Sequence, residues 1–517
     1  MSLPTSTKIL RNTAWTIIAR LIHVFINILL IPFIISHVGT VRYGIWVALF
    51  AVVDYFNLLE FGTGAATIKY VADYYTRKRI KKVGQVIALT LLFNFLYIPF
   101  LIAAYLLSDR VLSFFHIEYD YLAEANFIFI GVLANFAISQ FAGVFRSTLI
   151  GIQRIHINNL CHIVYLFLYA AGALLLLSKG YGLQGVIVLM FCLRCALMFF
   201  YMIYVLKIMP AALKGLRKID LEMLSDFFSY GAKLQLASLA GFFNFQIDKM
   251  LIGHYLKIEF VAFYEIGAKL AMMIRHIPSV MIGPLIPASA ELKINRDTAR
   301  LEELYLRSNF YIILVAAPIA AFLIVNSREI VELWLSEFAH PYCALALRVL
   351  SIAFFFQMLS AAMTSIGRGL GMIRYEIESS LLSAILNIFL SIILIFHFGF
   401  LGALLGTSLA MAVSNAIYFI RFNRFMKIGL LKILKRILIK PLLCVLISAV
   451  LCHFFKAIIM GSMVLGNFSR VEILFRLLLA GVVYFFSYVA GLFLSRVLGR
   501  SDWQLFGRAL DAISEFK

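Results

Sequence analysis

Apolar runs of bilayer length follow one another along the whole chain, and the longest stretch free of Asp, Glu, Lys and Arg, from Ser379 to Ile420, exceeds a single crossing. One crossing needs roughly 20 apolar residues at about 1.5 Å rise each. The stretch therefore predicts two helices joined by a tight turn at His397-Phe398-Gly399-Phe400. Reading every apolar run against the gaps between charges predicts about fourteen helices, over 12–36, 43–68, 84–108, 123–147, 157–178, 182–206, 229–252, 260–289, 305–326, 341–367, 376–397, 400–420, 441–460 and 471–495. The expected fold class is an all-α polytopic membrane protein. Pro32, Pro99, Pro278, Pro284, Pro287 and Pro318 mark expected bends.

Basic residues add orientation. They gather at every second gap: Lys8 and Arg11, Arg77 to Lys82, Arg154, Lys207 to Lys218, Lys293 to Arg300, Arg374, Arg421 to Lys440, and Arg496 with Arg500. Such loops are retained on the cytoplasmic side, so the reading places both termini in the cytoplasm and the chain in the plasma (inner) membrane. The outer loops that follow, Asp109–Tyr121 and Ser327–His340 being the longest, have no room for a folded domain. At 63% hydrophobic and 14% charged residues the chain has too few charges to coat a soluble surface. The net charge of +20 therefore points to anionic lipid headgroups rather than to nucleic acid.

Enzyme chemistry finds little support. There is no Walker A string and no HExxH. Cys192-Leu-Arg-Cys195 lies mid-span without a second pair, so no metal is expected, and the six cysteines do not form a disulfide framework. A polymerase or glycosyltransferase would need a catalytic loop outside the membrane.

An internal repeat is visible. Gly151-Ile-Gln-Arg154 and Gly371-Met-Ile-Arg374 are separated by 220 residues, and each precedes two apolar spans split by a glycine turn, Gly182-Leu-Gln-Gly185 and Gly399-Phe-Leu-Gly402. Two six-helix bundles in the same orientation are implied, residues 1–210 and 211–427, with 428–517 adding two helices without counterparts and a cytoplasmic tail. Parallel repeats of this kind are a transporter architecture.

Polar residues inside spans cost about 2.5–3.5 kcal/mol per charge on insertion scales and mark pathways or wet cavities. Here they form stripes on the first two helices of each repeat: Thr16, Arg20, His23 and Asn27; Asp54, Asn57 and Glu60; Lys233, Asn244 and Asp248 beside Lys249; and Glu265, Lys269 and His276 beside Arg275. Their correspondence points to one shared cavity. Arg20, His23, Asn27, Lys233, Asn244, Lys269 and Arg275 are the candidate substrate contacts, and Asp54, Glu60, Asp248 and Glu265 the candidate ion-coupling or gating groups. Structural ion pairing is the competing reading for Asp248 and Glu265, and snorkelling for Glu60 and Lys233. His162 and Arg194 stand alone in their spans and are read as structurally satisfied.

Gly39-Thr-Val-Arg-Tyr43-Gly44, Phe61-Gly62-Thr63-Gly64 and Asn244-Phe-Gln-Ile-Asp248-Lys249-Met-Leu-Ile-Gly253 resemble the multidrug/oligosaccharidyl-lipid/polysaccharide exporter superfamily, in its polysaccharide-transport branch, which includes O-antigen flippases. The resemblance covers nearly the whole chain through loose motifs. It implies two bundles alternating between inward and outward openings, a cationic cavity lined by the first, second, seventh and eighth helices, and a polyprenyl-diphosphate-linked oligosaccharide as cargo, with polysaccharide polymerase machinery as a candidate partner. No cofactor is expected; proton or sodium coupling, or the membrane potential, are the candidate drives. A cation-coupled multidrug antiporter and a lipid II-type flippase are the alternatives within the superfamily.

Overall fold

The computed structural model describes residues 5–60, 62–216, 221–461 and 469–497, and among them only helices and turns occur. The chain separates into two compact units, 1–262 and 263–517. That division falls elsewhere than the repeat boundaries at 210 and 427.

The first unit begins with α1 (Thr5–Asp54), which at about 1.5 Å per residue would run about 75 Å if straight, more than twice a bilayer core. It is broken at Gly39, whose φ of 81° is open to glycine and costly for other residues. A 3₁₀ turn, Tyr55–Glu60, separates α1 from α2 (Thr63–Thr76), so the predicted continuous span 43–68 is interrupted in mid-course. The cause is backbone contact. Gly62 has φ 67°, and a Cβ there would lie 2.1 Å from the Gly231 carbonyl oxygen.

α3 (Ile80–Phe95) and α4 (Tyr97–Leu106) meet at a kink four residues ahead of Pro99, which offers no N–H to the Phe95 carbonyl. α5 (Ser108–Phe114), α6 (Tyr119–Gly151), α7 (Ile155–Ser178), α8 (Gly182–Ile208), α9 (Ala212–Leu216) and α10 (Leu221–Tyr255) complete the unit. The turn between α7 and α8 uses Gly180 and Gly182 at positive φ, at the place the sequence marks. α6 approaches α8 closely because Gly131 lies against Ile187, and the Asn135 amide donates to the Ile187 carbonyl at 3.1 Å. One core of this unit joins Val71, Val83, Ile87, Leu149 and Phe227. Phe227 belongs to α10, which also places Tyr230 under the Lys69 ammonium, 3.7 Å from the ring centroid. The seventh predicted span thus packs within the first unit.

In the second unit the predicted span 260–289 is a broken run: α11 (Glu259–Ala271), which starts just before the division, then α12 (Met273–His276), α13 (Ser279–Ile282) and α14 (Leu285–Ile294). Pro278 and Pro284 sit at the breaks. α15 (Thr298–Val325) starts at an Asp297 cap that accepts the Arg300 N–H at 3.0 Å. α16 (Ser327–Leu335), α17 (Pro341–Met358), α18 (Ala361–Gly369) and α19 (Ile373–Met426) follow. α19 folds back on itself at Gly399, φ 56°. Gly402 lies against the Leu394 carbonyl and Gly406 against the backbone and hydroxyl of Ser391, so the two arms approach closely. α20 (Leu430–Ile433), a π turn at Leu434–Leu438, α21 (Ile439–Gly461) and α22 (Arg470–Leu494) end the described chain.

Ten segments among the described residues are long and apolar enough to cross a bilayer. Two of them, Ile18–Leu58 and Ile373–Met426, are each long enough for two crossings, and α10 and the α11–α14 run stand at the seventh and eighth predicted spans. The chain is a multi-pass membrane protein.

The last two helices dock on α15 through its proline. Pro318 has no N–H for the Leu314 carbonyl, and in an apolar medium such an orphan is expensive. The Tyr488 hydroxyl of α22 donates to that carbonyl at 2.9 Å, and Tyr484 donates to the Pro318 carbonyl at 3.0 Å. Tyr488→Phe is therefore expected to cost about 1–3 kcal/mol, the penalty of a buried acceptor left unmade. It should appear as a lowered unfolding midpoint in detergent, and an unchanged midpoint would show that the carbonyl finds another donor.

Candidate functional site

α6 carries Ser139, Gly143 and Arg146 at spacings of four and three, one line along its surface. Two cavities of the first unit meet along this line. One, of ≈ 310 Å³, lies among α6, α7 and α8; the other, of ≈ 250 Å³, lies among α2, α3, α6 and the 3₁₀ turn. Ser139, Gly143 and Arg146 border both.

Their charges differ. The larger cavity is lined by Arg146, Arg194 and His162 and, among the described residues, by no carboxylate. Arg194 donates to the Asn135 carbonyl at 3.2 Å, and neither guanidinium has an ion-pair partner among the described residues. His162 stacks on His23 of α1, ring centroids 5.7 Å apart, and continues into Tyr165 and Tyr169 at 6.2 and 6.1 Å. These rings line one face of α7. Asn159, next to Asn158 in this wall, ties α7 to Thr16 of α1 at 2.9 Å.

The smaller cavity holds Glu60 as its one carboxylate. Gly64 makes room for it, since a Cβ at that position would lie 2.6 Å from Glu60 Oε1. The motif Phe61-Gly62-Thr63-Gly64 therefore serves two separate contacts, a backbone crossing at Gly62 and space for an acid at Gly64. Gln140 donates to Asn57 at 3.3 Å, and Asn94 donates to the Gln140 carbonyl at 2.8 Å.

The other sequence-predicted residues are placed as follows. Arg20 lies one turn before His23 on α1 and is exposed. Asn27 donates to the His23 carbonyl at 2.8 Å, a bond within its own helix. Asp54 accepts from Gln246 of α10 at 3.0 Å, and Asp248, two residues further along α10, is 1% exposed. The side chains of Lys233 and Asn244 lie outside the described residues. In the second unit Lys269 pairs with Glu265 at 3.5 Å, and the Arg275 guanidinium lies 5.7 Å from the Phe354 ring centroid. The structure thus brings His23 and Glu60 to the cavity system, and Asp54 to α10.

Sequence reasoning overlooked Arg146 and read His162 and Arg194 as isolated. The line Ser139, Gly143, Arg146 was a legible signal, a helix face with polar, small and charged positions in register. It lies on the fourth span, outside the helices where stripes were sought.

The fold thus consists of membrane-length helices in two units, with a polar cavity system inside the first. The fold matches a lipid II flippase, MurJ, in an inward closed conformation with a TM-score of 0.68 at 12% identity, covering 93% of this chain and 99% of that one. It also matches an inward-facing multidrug resistance MATE family transporter of the MOP superfamily with a TM-score of 0.64 at 16% identity, over 79% of this chain and 94% of that one. The polysaccharide biosynthesis protein family model matches residues 9–293, and the chain belongs to that family. A curated relative, the probable low-salt glycan biosynthesis flippase Agl15 of Haloferax volcanii, is 24% identical over 218 residues, which are 41% of this chain and 45% of the relative. The match thus spans less than half of the relative's length.

Proposed function

We propose that the protein is a flippase that carries a polyprenyl-diphosphate-linked oligosaccharide, an O-antigen or related cell-surface unit, from the cytoplasmic to the outer leaflet by alternating access. The observation that carries this reading is the cavity among α6, α7 and α8, which is lined by Arg146, Arg194 and His162 and, among the described residues, by no carboxylate. A drug antiporter that exchanges organic cations calls for acidic or aromatic lining, whereas a diphosphate calls for guanidinium. Family membership and the Agl15 relative support the same cargo class.

In this reading the repeats 1–210 and 211–427 move as the alternating halves, both termini face the cytoplasm of an inner membrane, and Lys269 and Arg275 add positive charge from the second half. Outward movement of negative charge in an inside-negative cell is downhill by about 2.3 kcal/mol per charge per 100 mV. The membrane potential is thus a sufficient drive, with Asp54, Glu60, Asp248 and Glu265 available for proton or sodium linkage during reset. Polysaccharide polymerase machinery would receive the product.

The test is reconstitution in vesicles with a polyprenyl-diphosphate oligosaccharide and an impermeant probe of the outer leaflet. The expected result is protein-dependent movement that speeds up under an applied potential, positive on the receiving side. Export of an organic cation with no movement of several lipid-linked glycans would sink the flippase reading in favour of drug antiport.

A further inference from the structure

We infer that His116 and His254 form an acid-sensitive latch between the turn that follows α5 and the C-terminal end of α10. The latch is argued from contacts within the first unit; only its part in transport rests on the flippase reading.

Residues 253–255 close α10, and residues 114–116 lie against them. Gly253 permits the approach, since a Cβ there would lie 2.6 Å from the ring of Phe115, which is 1% exposed. His254 stacks on Phe114, ring centroids 4.3 Å apart and planes 13° apart, and its Nδ1 lies 2.7 Å from the Phe114 carbonyl oxygen. A carbonyl only accepts, so that nitrogen carries the hydrogen. His116 stands at φ 50°, in the left-handed region where His is one of the enriched side chains, and its ring lies 5.2 Å from that of His254. Two titratable rings thus meet in one contact.

Imidazole is the side chain whose charge ordinarily changes between about pH 5 and 8. With both rings neutral, the contact is a stack with one hydrogen bond. With both protonated, it holds two like charges 5.2 Å apart, which repel. The titratable neighbours on the packed elements are Asp109 and Arg110 of α5, Glu118, Tyr119 and Asp120 at the start of α6, Tyr255, Lys257 and Glu259 around the end of α10, and Arg42 of α1. Arg42 is held by Glu124 at 2.7 Å, and among the described residues neither histidine forms an ion pair.

The N-terminal part of α10 is held by contacts that contain no imidazole: Gly62 against the Gly231 carbonyl, Phe93 on Phe227 at 6.1 Å, and Lys69 over Tyr230. Acid therefore loosens α10 at one end. In the flippase reading residues 114–116 and α10 belong to different repeats and this end faces outward. Acid on the receiving side then favours the outward opening.

The experiment follows amide hydrogen exchange in the full chain in detergent at about pH 5.5 and about pH 7.5, corrected for the intrinsic effect of pH on exchange. The readout is the amides of Phe115, His116 and Leu256, each bonded within its own turn. Native protein is compared with His116→Gln, His254→Gln and, as the control, His397→Gln at the exposed fold-back of α19. Protection is expected to fall about tenfold at the lower pH in the native protein and the control, and less than about twofold in the other two variants, each of which leaves one imidazole without a second. His116 is exposed, so His116→Gln carries the test if His254→Gln loses the contact at both pH values. Native protection that is the same at both pH values, or an equal fall in native protein and His116→Gln, overturns the latch.

Flipping in vesicles keeps the two readings apart. Acid on the receiving side is expected to speed native flipping more than that of His116→Gln, and an equal response removes the latch from transport. Flipping with protection that ignores pH would remove the latch and leave the flippase reading standing. Histidine-dependent protection with no movement of any lipid-linked glycan would do the reverse.

Discussion

Glu329→Ala is expected to destabilise the second unit by about 1–3 kcal/mol, the cost of leaving one member of a half-buried ion pair without its partner. Glu329 of α16 and Lys456 of α21 approach to 2.5 Å with side chains only 18% and 15% exposed. Lys456 also donates to the Val325 carbonyl at the end of α15, at 3.2 Å. Removing the carboxylate strands the ammonium among Cys452, Asn326 and the apolar contacts of Ala480 and Tyr484 with Phe322. Replacing both, as Glu329→Ala with Lys456→Met, removes the stranded charge and is expected to recover most of the loss. The unfolding midpoint of the three proteins in detergent reads this directly. A double variant as unstable as Glu329→Ala would mean that the pair matters through packing and not through charge.

For transport, Arg20→Ala is expected to slow flipping at least tenfold, about 1.4 kcal/mol of barrier, with the unfolding midpoint unchanged. Arg20 is exposed on α1 and shares a helix face with His23, whose ring leans on His162 in the cavity wall. Its charge thus sits beside the proposed diphosphate path while its side chain builds no core. Lys269→Ala is the companion in the second unit; there the loss removes the positive member of the pair with Glu265, so the pair goes from neutral to net negative. Native flipping rates in both variants would remove the cationic-path model.

The spans were legible because bilayer crossing is a strong constraint on sequence. Predicted 157–178 and 471–495 differ from α7 (Ile155–Ser178) and α22 (Arg470–Leu494) by no more than two residues at any end. What the hydropathy pattern does not carry is interruption inside an apolar run. The 3₁₀ turn at Tyr55–Glu60 and the break between α17 and α18 lie inside apolar runs, where mean hydropathy does not fall enough to end a span. The site was legible in part for a similar reason. His23 and Glu60 announced themselves as polar residues in spans, but that Arg146, Arg194 and His162 converge is a matter of three-dimensional packing between spans four, five and six. The docking of α22 was illegible altogether, since nothing in the sequence ties Tyr488 to a carbonyl four residues before Pro318.

The folded-back helix α19 has a consequence for how the protein is made. Its arms are in contact from Gly402 against Leu394 down to the Arg421 pair with Glu378 at 2.7 Å, all between residues fewer than 45 positions apart. Such local pairing forms early, as soon as both arms have left the ribosome. The two crossings should therefore enter the lipid together as one preformed wedge, without a stage in which the first waits alone. Their tip is a single glycine, so no loop extends beyond the arms for a protease to cut, and an epitope inserted after Gly399 would have to prise the arms apart. An insertion there should abolish accumulation of the protein in the membrane, whereas the same epitope placed in the segment between α16 and α17 has the room to be carried.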